Sequence, residues 1–454
     1  MDEFFNPVGV AVVGASSRPG KIGYEILRNV AEFRKDVYPV NPSAEEILGK
    51  KCYSSVSEIE GRVDLAVVAV PSEKIIGVVE DCGRKGVKGI VIISGGFREV
   101  GNAEMEREMV AIARKYGIRV IGPNCIGIYN PKNRLNTFFQ KDMELPGEGN
   151  VAVLTQSGTI GIGLLENFAG KIGISKFVSY GNKADVSEID MFEYLDRDED
   201  TKVIAMYIES MENGRKFMDR LPDKPVVILK SGRTPLGKSA AASHTGAMAT
   251  NYSIFKGAAR QYGAIVADNF EEFYDITRIL ATQPLPGGGR VGMITNGAGP
   301  CVIASDYIYH SKNLSAPELE KEKISGLPEF AIISNPLDLT GSANAGHFLK
   351  GIEAMKKDEG IDIIMPFFVF QDAPLLDSVK ELHDGLKRLV GVEDKNCKPI
   401  VAVAMGGKVV KEQARIMADY GIPLLEEPAR AVASLDKIVG YAGYKGWKNE
   451  GSSS

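Results

Sequence analysis

Cysteine is scarce and poorly placed for cross-linking. Five residues, Cys52, Cys82, Cys125, Cys301 and Cys397, are scattered over 454 positions without C-x-x-C spacing, and an odd number cannot pair completely within one chain. A disulfide framework is therefore excluded, and a reducing, cytoplasmic setting is expected. Histidine is scarcer still, with four well-separated residues, so no zinc-type cluster is visible and no metal site is expected. Long apolar runs are missing as well. Stretches such as 65–70 and 90–93 fall far short of the roughly 18 residues a membrane span needs, and Met1-Asp2-Glu3 does not open a signal peptide. No membrane association is expected. Nor is there an excess of positive charge: 54 basic against 59 acidic side chains leave a net charge of −5, which gives no electrostatic footprint for nucleic acid. What remains is ordinary globular composition, 44% hydrophobic and 25% charged, in a chain about three domains long. The Gly451-Ser452-Ser453-Ser454 tail is left out of fold reasoning.

Residues 1–130 alternate β-rich apolar runs (8–13, 37–40, 65–70, 89–93, 118–121) with helical spacing, which predicts a doubly wound parallel sheet. Ligands of such sheets bind beyond the carboxyl ends of the strands. The first such end is Gly14-Ala15-Ser16-Ser17-Arg18-Pro19-Gly20-Lys21, where small residues let amides and a helix N-terminus approach a phosphate and where Arg18 and Lys21 add positive charge. NAD is a poor fit. The glycine spacing is G-x5-G-x2-G, and the second strand ends in Asn41-Pro42 where a ribose-binding Asp or Glu is expected. The later ends Val70-Pro71-Ser72, Ser94-Gly95-Gly96-Phe97 and Gly122-Pro123-Asn124-Cys125 should share this sheet edge and lengthen the crevice.

Residues 131–150, with Pro131, Pro146, Gly147 and Gly149, read as an interdomain linker. A second α/β unit then begins with a strand at 151–154 and a turn, Thr155-Gln156-Ser157-Gly158-Thr159, at a helix start where free amides suit an anion. Its later strands, 202–208 and 225–230, lead to Glu209 and to a long small-residue excursion carrying His244. After a second linker at 284–289 a third unit repeats the second: 291–297 echoes 151–158, 361–367 echoes 202–208, and 398–403 echoes 224–229. The excursion from 231 to the next helical pattern at Tyr252 has no counterpart there, and its length predicts a function. Gly232 to Ser239 fits G-x-x-x-x-G-K-[ST], the phosphate-cradling pattern. That match is discounted, because a helix running on from Lys238 meets Ser243, Thr245 and Gly246 and because no companion strand ends in a magnesium-binding aspartate.

These residues, in this order, resemble the α subunits of ADP-forming acyl-CoA synthetases of the acetate type, relatives of succinyl-CoA synthetase. The likeness spans nearly the whole chain and rests on Val13-Gly14-Ala15-Ser16 with Gly20-Lys21-Ile22-Gly23, on Gly122-Pro123-Asn124-Cys125, and on Ala242-Ser243-His244-Thr245-Gly246-Ala247. It implies a Rossmann-like CoA-binding domain (1–130) followed by two flavodoxin-like doubly wound α/β domains (148–284 and 290–446). CoA contacts are expected from Gly14, Ala15, Ser16, Arg18, Gly20, Lys21, Asn41, Pro71, Ser94, Gly95, Gly96, Phe97 and Asn124. Phosphate is expected at Ser157, Gly158 and Thr159, with a second helix start near Gln371-Asp372-Ala373 in the third domain.

His244 would carry the phosphoryl group and Glu209 would orient it, in a reaction that turns acyl-CoA, phosphate and ADP into a small carboxylic acid, CoA and ATP. No stretch resembles the family's nucleotide-binding ATP-grasp domain, so Mg-ADP and ATP are expected on a separate β subunit in an α2β2 heterotetramer. Two other readings remain open at this point, an NAD(P)-linked oxidoreductase and a non-catalytic CoA-binding module.

Overall fold

The computed structural model describes residues 1–33, 35–211, 213–239, 251–321, 324–390 and 397–451. The chain forms two compact units, Met1–Ala169 with Gly173–Val266, and Gly170–Ile172 with Ala267–Ser454.

The first unit holds two sheets. In the first, the strands lie in the order Asp36–Val40, Gly9–Val13, Leu65–Val68, Gly89–Ile92, Arg119–Ile121, all parallel. Gly9–Val13, Leu65–Val68 and Gly89–Ile92 are buried along their whole length, as their unbroken apolar sequences require when both faces of a sheet are covered. The second sheet runs Ile265–Ala267, Val226–Lys230, Val203–Ile208, Glu148–Thr155, Ile174–Ser179, and then Ile128–Asn130 and Leu135–Asn136. Its last two strands are antiparallel to their neighbours.

Those two edge strands correct the linker expected at 131–150. Asn130 and Asn133 each donate a side-chain hydrogen bond to Phe5 O, at 2.9 and 2.6 Å, and Asn29 holds Phe138 O at 2.8 Å. Pro131 opens the one-turn helix Pro131–Asn133, and Gly149 lies inside the strand Glu148–Thr155. A second difference concerns the stretch after Val226–Lys230: residues 235–239 are helical, and the irregular excursion expected from 231 onward is interrupted by that turn. Pro235 opens the helix, a position where its missing N–H costs nothing.

The two sheets are joined where their carboxyl ends meet. Asn182 N donates to Pro123 O (2.9 Å), Ala184 N to Gly122 O (3.1 Å) and Val186 N to Val120 O (3.0 Å), while Asp185 receives Val120 N and the Arg119 guanidinium. Gly181 makes this approach possible. Its φ is +55°, and a Cβ there would lie 2.2 Å from both Pro123 O and Asn124 O.

The second unit contains a parallel sheet in the order Leu337–Asp338, Val291–Thr295, Ile363–Phe367, Ala402–Val403, Leu424–Leu425. This repeats the strand order of the five strands from Ile174–Ser179 to Ile265–Ala267. Strand register corrects the repeat by one residue. Val203 lies opposite Val151 and Ile363 opposite Val291, so 362–368, rather than 361–367, corresponds to 202–208. The helix Phe270–Thr282, read from sequence as the end of the preceding domain, belongs to the second unit. Its buried Asp275 is gripped by Arg430 at 2.8 and 3.0 Å, its Arg278 donates to Leu424 O, and Lys437 pairs with Glu272 at 2.7 Å.

Gly181→Ala should lower the unfolding free energy by about 2–4 kcal/mol, from left-handed strain plus displacement of the 122–124 turn. Gly20→Ala, whose φ is +84° but whose Cβ would meet nothing within 4 Å, should cost about 1 kcal/mol. Urea unfolding of the two variants measures the difference.

Candidate active site

A cleft of about 600 Å³ opens at the junction of the two sheets. One wall is made by strand ends of the first sheet: Pro71, Ser94, Gly95 and Asn124 line it, and Ser94 Oγ donates to Val70 O at 2.5 Å. Asn124 takes a left-handed φ of +59°, which asparagine tolerates, and its N–H donates to Ser94 O at 2.9 Å.

The glycine-rich turn stands at the same edge, but only the following Ile22 lines the cleft. Gly14 has φ +86°, and a Cβ there would meet Ala69 O at 2.5 Å, so the turn can lie this close to the neighbouring strand end only as glycine. Ala15 is buried, Ser16 Oγ accepts from Arg18 N, and Arg18, Gly20 and Lys21 are exposed. Asn41 serves the scaffold. Its Nδ2 donates to Ala15 O (2.8 Å) and its Oδ1 accepts from Ser43 N (2.9 Å), which ties two turns together.

Phe97 corrects an expectation. Its side chain is fully buried in the core and cannot reach a ligand in the cleft. The Gly96 and Phe97 amides donate to Glu99 Oε1 at 2.6 and 3.2 Å, and Asn182 Nδ2 donates to Glu99 Oε2 at 2.6 Å. Burial works to raise the pKa of Glu99, yet these bonds outweigh it and hold the carboxyl below its ordinary value.

The opposite wall belongs to the second sheet. Ser157 caps the helix Gly158–Phe168, accepting Ile160 N at 3.4 Å, while Thr155 Oγ1 fixes the turn by donating to Ser157 O at 2.8 Å. Ser157, Gly158 and Thr159 all line the cleft, so the positive end of an 11-residue helix faces it.

Between them the Gln156 side chain acts as a clamp. Its Oε1 accepts Glu209 N (2.5 Å) and Ser210 N (2.9 Å), and its Nε2 donates to Ser210 Oγ (3.2 Å). The buried Glu209 thus follows Val203–Ile208 directly; its neighbour Ser210 lines the cleft, whereas Glu209 is not among the lining residues. Burial, with the Glu209 carboxylate as neighbour, pushes the Tyr207 hydroxyl up to about 12. Two buried lysines complete the turn: Lys183 Nζ donates to Ser210 O (2.8 Å) and pairs with Glu188 (3.1 Å), and Lys230 Nζ donates to Glu209 O (2.6 Å). Burial lowers the Lys230 ammonium to about 8, with Lys183, Arg233 and Lys238 pushing the same way and Glu209 opposing them. His244 lies outside the described residues.

This geometry, a strand-end crevice joined to a capped helix start, can hold an extended phosphate-bearing ligand against an anion. Family models match in the same two places, a CoA binding domain over residues 9–131 and a succinyl-CoA ligase like flavodoxin domain over 148–280. The acetate–CoA ligase [ADP-forming] II subunit alpha of Pyrococcus furiosus is 40% identical over 97% of both chains. The chain belongs to the ADP-forming acetate–CoA ligase family.

A Methanocaldococcus jannaschii acetate–CoA ligase [ADP-forming] is also 40% identical over 96% of this chain, which spans 62% of that relative's length. The dinucleotide-forming acetyl-coenzyme A synthetase 1 of Ca. Korarchaeum cryptofilum, solved in complex with phosphate and ADP, has a TM-score of 0.90 at 37% identity, covering 99% of this chain and 98% of its own.

Within this ligase chain the P-loop pattern is not a cradle. Only residues 231–234 separate strand from helix, and Thr234 already accepts Gly237 N (3.1 Å) and Lys238 N (2.8 Å), the amides a phosphate would need. The helix expected near Gln371-Asp372-Ala373 is present as Ala373–Asp377. Sequence reading missed Gln156, Asn182, Lys183, Ser210 and Lys230. A lysine closing the apolar strand Val226–Lys230 was a legible signal; Gln156 was not, since one turn glutamine looks like any other. Among the described residues no group of acidic, cysteine or histidine side chains could hold a metal ion, and no helix is long and apolar enough to cross a membrane.

Gln156→Leu leaves two buried amides without their acceptor and should destabilise the chain by about 2–4 kcal/mol, whereas Gln156→Glu, which keeps the acceptor, should lose less than half of that. Chemical denaturation of both variants gives the comparison.

Proposed function

We propose that this chain is the α subunit of an ADP-forming acetate–CoA ligase, in which the cleft binds the reacting end of acyl-CoA against phosphate. The observation that carries this reading is the single cleft lined both by Ser94, Gly95 and Asn124 and by Ser157, Gly158 and Thr159. Phosphate oxygen attacks the thioester carbonyl and CoA leaves as thiolate, giving an acyl phosphate. The helix N-terminus at Ser157 offsets the phosphate's charge. A neutral imidazole nitrogen of His244 then attacks phosphorus and the carboxylate leaves. Glu209 stabilises the cationic phosphohistidine and fixes the ring's tautomer. CoA reaches the cleft along the edge formed by Gly14, Ala15, Ser16, Gly20, Lys21, Pro71 and Gly96, with Arg18 and Lys21 as exposed cations for its phosphates.

The α-subunit names of the Pyrococcus relatives imply a partner. We assign Mg-ADP to an ATP-grasp domain of that β subunit in an α2β2 assembly, reached by the segment carrying His244, and we place the enzyme in the cytoplasm. The three-domain division belongs to the same reading, with residues 128–136 counted with the second domain and the helix Phe270–Thr282 with the third. An NAD-linked oxidoreductase is disfavoured, because the Asn41 amide at the end of the second strand is committed to Ala15 and Ser43.

Two outcomes are expected. Acetyl phosphate labelled in its phosphoryl group should transfer an acid-labile label to the chain, lost in His244→Ala and about tenfold slower in Glu209→Gln, with CoA affinity unchanged by calorimetry. Labelling of His244→Ala at the wild-type rate would sink the reading. Purified alone, the chain should make no ATP from acetyl-CoA, phosphate and Mg-ADP; turnover that disappears in Lys238→Ala would return the nucleotide to the Gly232–Ser239 pattern.

A further inference from the structure

The two α/β repeats make the same strand turns with different chemistry. Thr155 holds the Ser157 turn as Thr295 holds Gly297, with bonds of 2.8 Å from each hydroxyl. Gln156 accepts Glu209 N as Asn296 accepts Val369 N. By register, Tyr207 pairs with Leu229 in one copy and Phe367 with Val403 in the other, so Glu209 corresponds to Val369 and Lys230 to Ala404. The copy that continues towards His244 therefore has a buried carboxylate and a buried lysine where the other copy has valine and alanine.

Lys230 is 1% exposed, and its Nζ donates to Glu209 O and to Ser231 O, both at 2.6 Å. Removing an ammonium from water is costly, and the fold does not ask for it, because Ala404 completes the corresponding strand end without one. A buried cation that the architecture can do without is retained for what it holds. It holds two turns: the one bearing Glu209, and the one that opens the segment leading to His244.

We propose that Lys230 is a positioning residue for phosphoryl transfer, its ammonium joining the Glu209 turn to the Ser231 turn and so fixing where the Glu209 carboxylate stands. The inference rests on the reading of Glu209 and His244 given above. The charged groups acting on Lys230 are Glu209 on the adjacent strand end, Lys183 from the loop after Ile174–Ser179, and Arg233 and Lys238 from the chain that follows it. Burial above all, with the three cations adding to it and Glu209 opposing, pushes the Lys230 ammonium down to about 8. Below that pH the two carbonyls receive charge-assisted bonds and Glu209 has a cation beside it; above it both supports weaken.

The test is the single-turnover rate of labelling by acetyl phosphate of the full-length chain, from about pH 6.5 to 9.5. Wild type should slow as pH rises through about 8. Lys230→Ala, the residue of the other copy, should fold, bind CoA within about twofold of wild type, label about 30-fold more slowly, and show a flat alkaline profile. A wild-type rate for Lys230→Ala, or the same alkaline limb in it, overturns the proposal. Should the variant fail to fold, Lys230→Arg, whose cation stays charged across this range, decides: loss of the wild-type alkaline limb supports the anchor and an unchanged limb overturns it. Labelling that survives in His244→Ala defeats the histidine reading instead, so the two failures are distinguishable.

Discussion

The close backbone approach of residues 180–186 to residues 120–124 is the constraint on which the site depends. Two sheets, each with parallel central strands, present a crevice at the carboxyl ends of those strands, and alone each crevice is a shallow edge. Gly181, without a Cβ, lets the second sheet's loop lie against the Pro123 and Asn124 carbonyls, and the two edges become one cleft. Asn182 then reaches Glu99 and Glu106 on the first sheet's side, while its neighbour Lys183 reaches Ser210 on the second. A single turn thus fixes both walls.

The chemistry is arranged around main-chain groups more than around side chains. Glu209 is oriented by what grips its own peptide: Gln156 at the N–H, Lys230 at the carbonyl. Buried polar groups that are fully paired rigidify their surroundings, and the carboxylate proposed above to hold a tautomer gains from a rigid backbone. The exposed Arg18 and Lys21 are the opposite case, solvent-facing charges beside a glycine-rich turn.

Much of this was legible in the sequence. Alternating apolar runs and helical spacing gave the first parallel sheet, two further α/β units with the second repeated in the third, and the strand-end loops that now line the cleft. Three further things were not legible, each for a physical reason. Prolines and glycines at 131–150 signal turns, and turns inside a packed β edge have the same composition as a linker. Phe97 sits among cleft-facing glycines in sequence, yet its aromatic ring follows the hydrophobic effect into the core. The one-residue shift of the repeat depends on ladder pairing, which composition does not encode.

The antiparallel edge strands Ile128–Asn130 and Leu135–Asn136 have a bearing on how such a protein can be taken apart. The chain leaving the first sheet is woven into the second before the second has begun its own parallel strands. A cut at 130 would not separate two self-sufficient folds: it would strip the second sheet of its border and leave Ile174–Ser179 as a naked edge with unpaired amides, an invitation to pair with another molecule. The seam between these modules is a shared selvedge, and any natural or designed exchange of one module for another must carry residues 128–136 with the downstream piece.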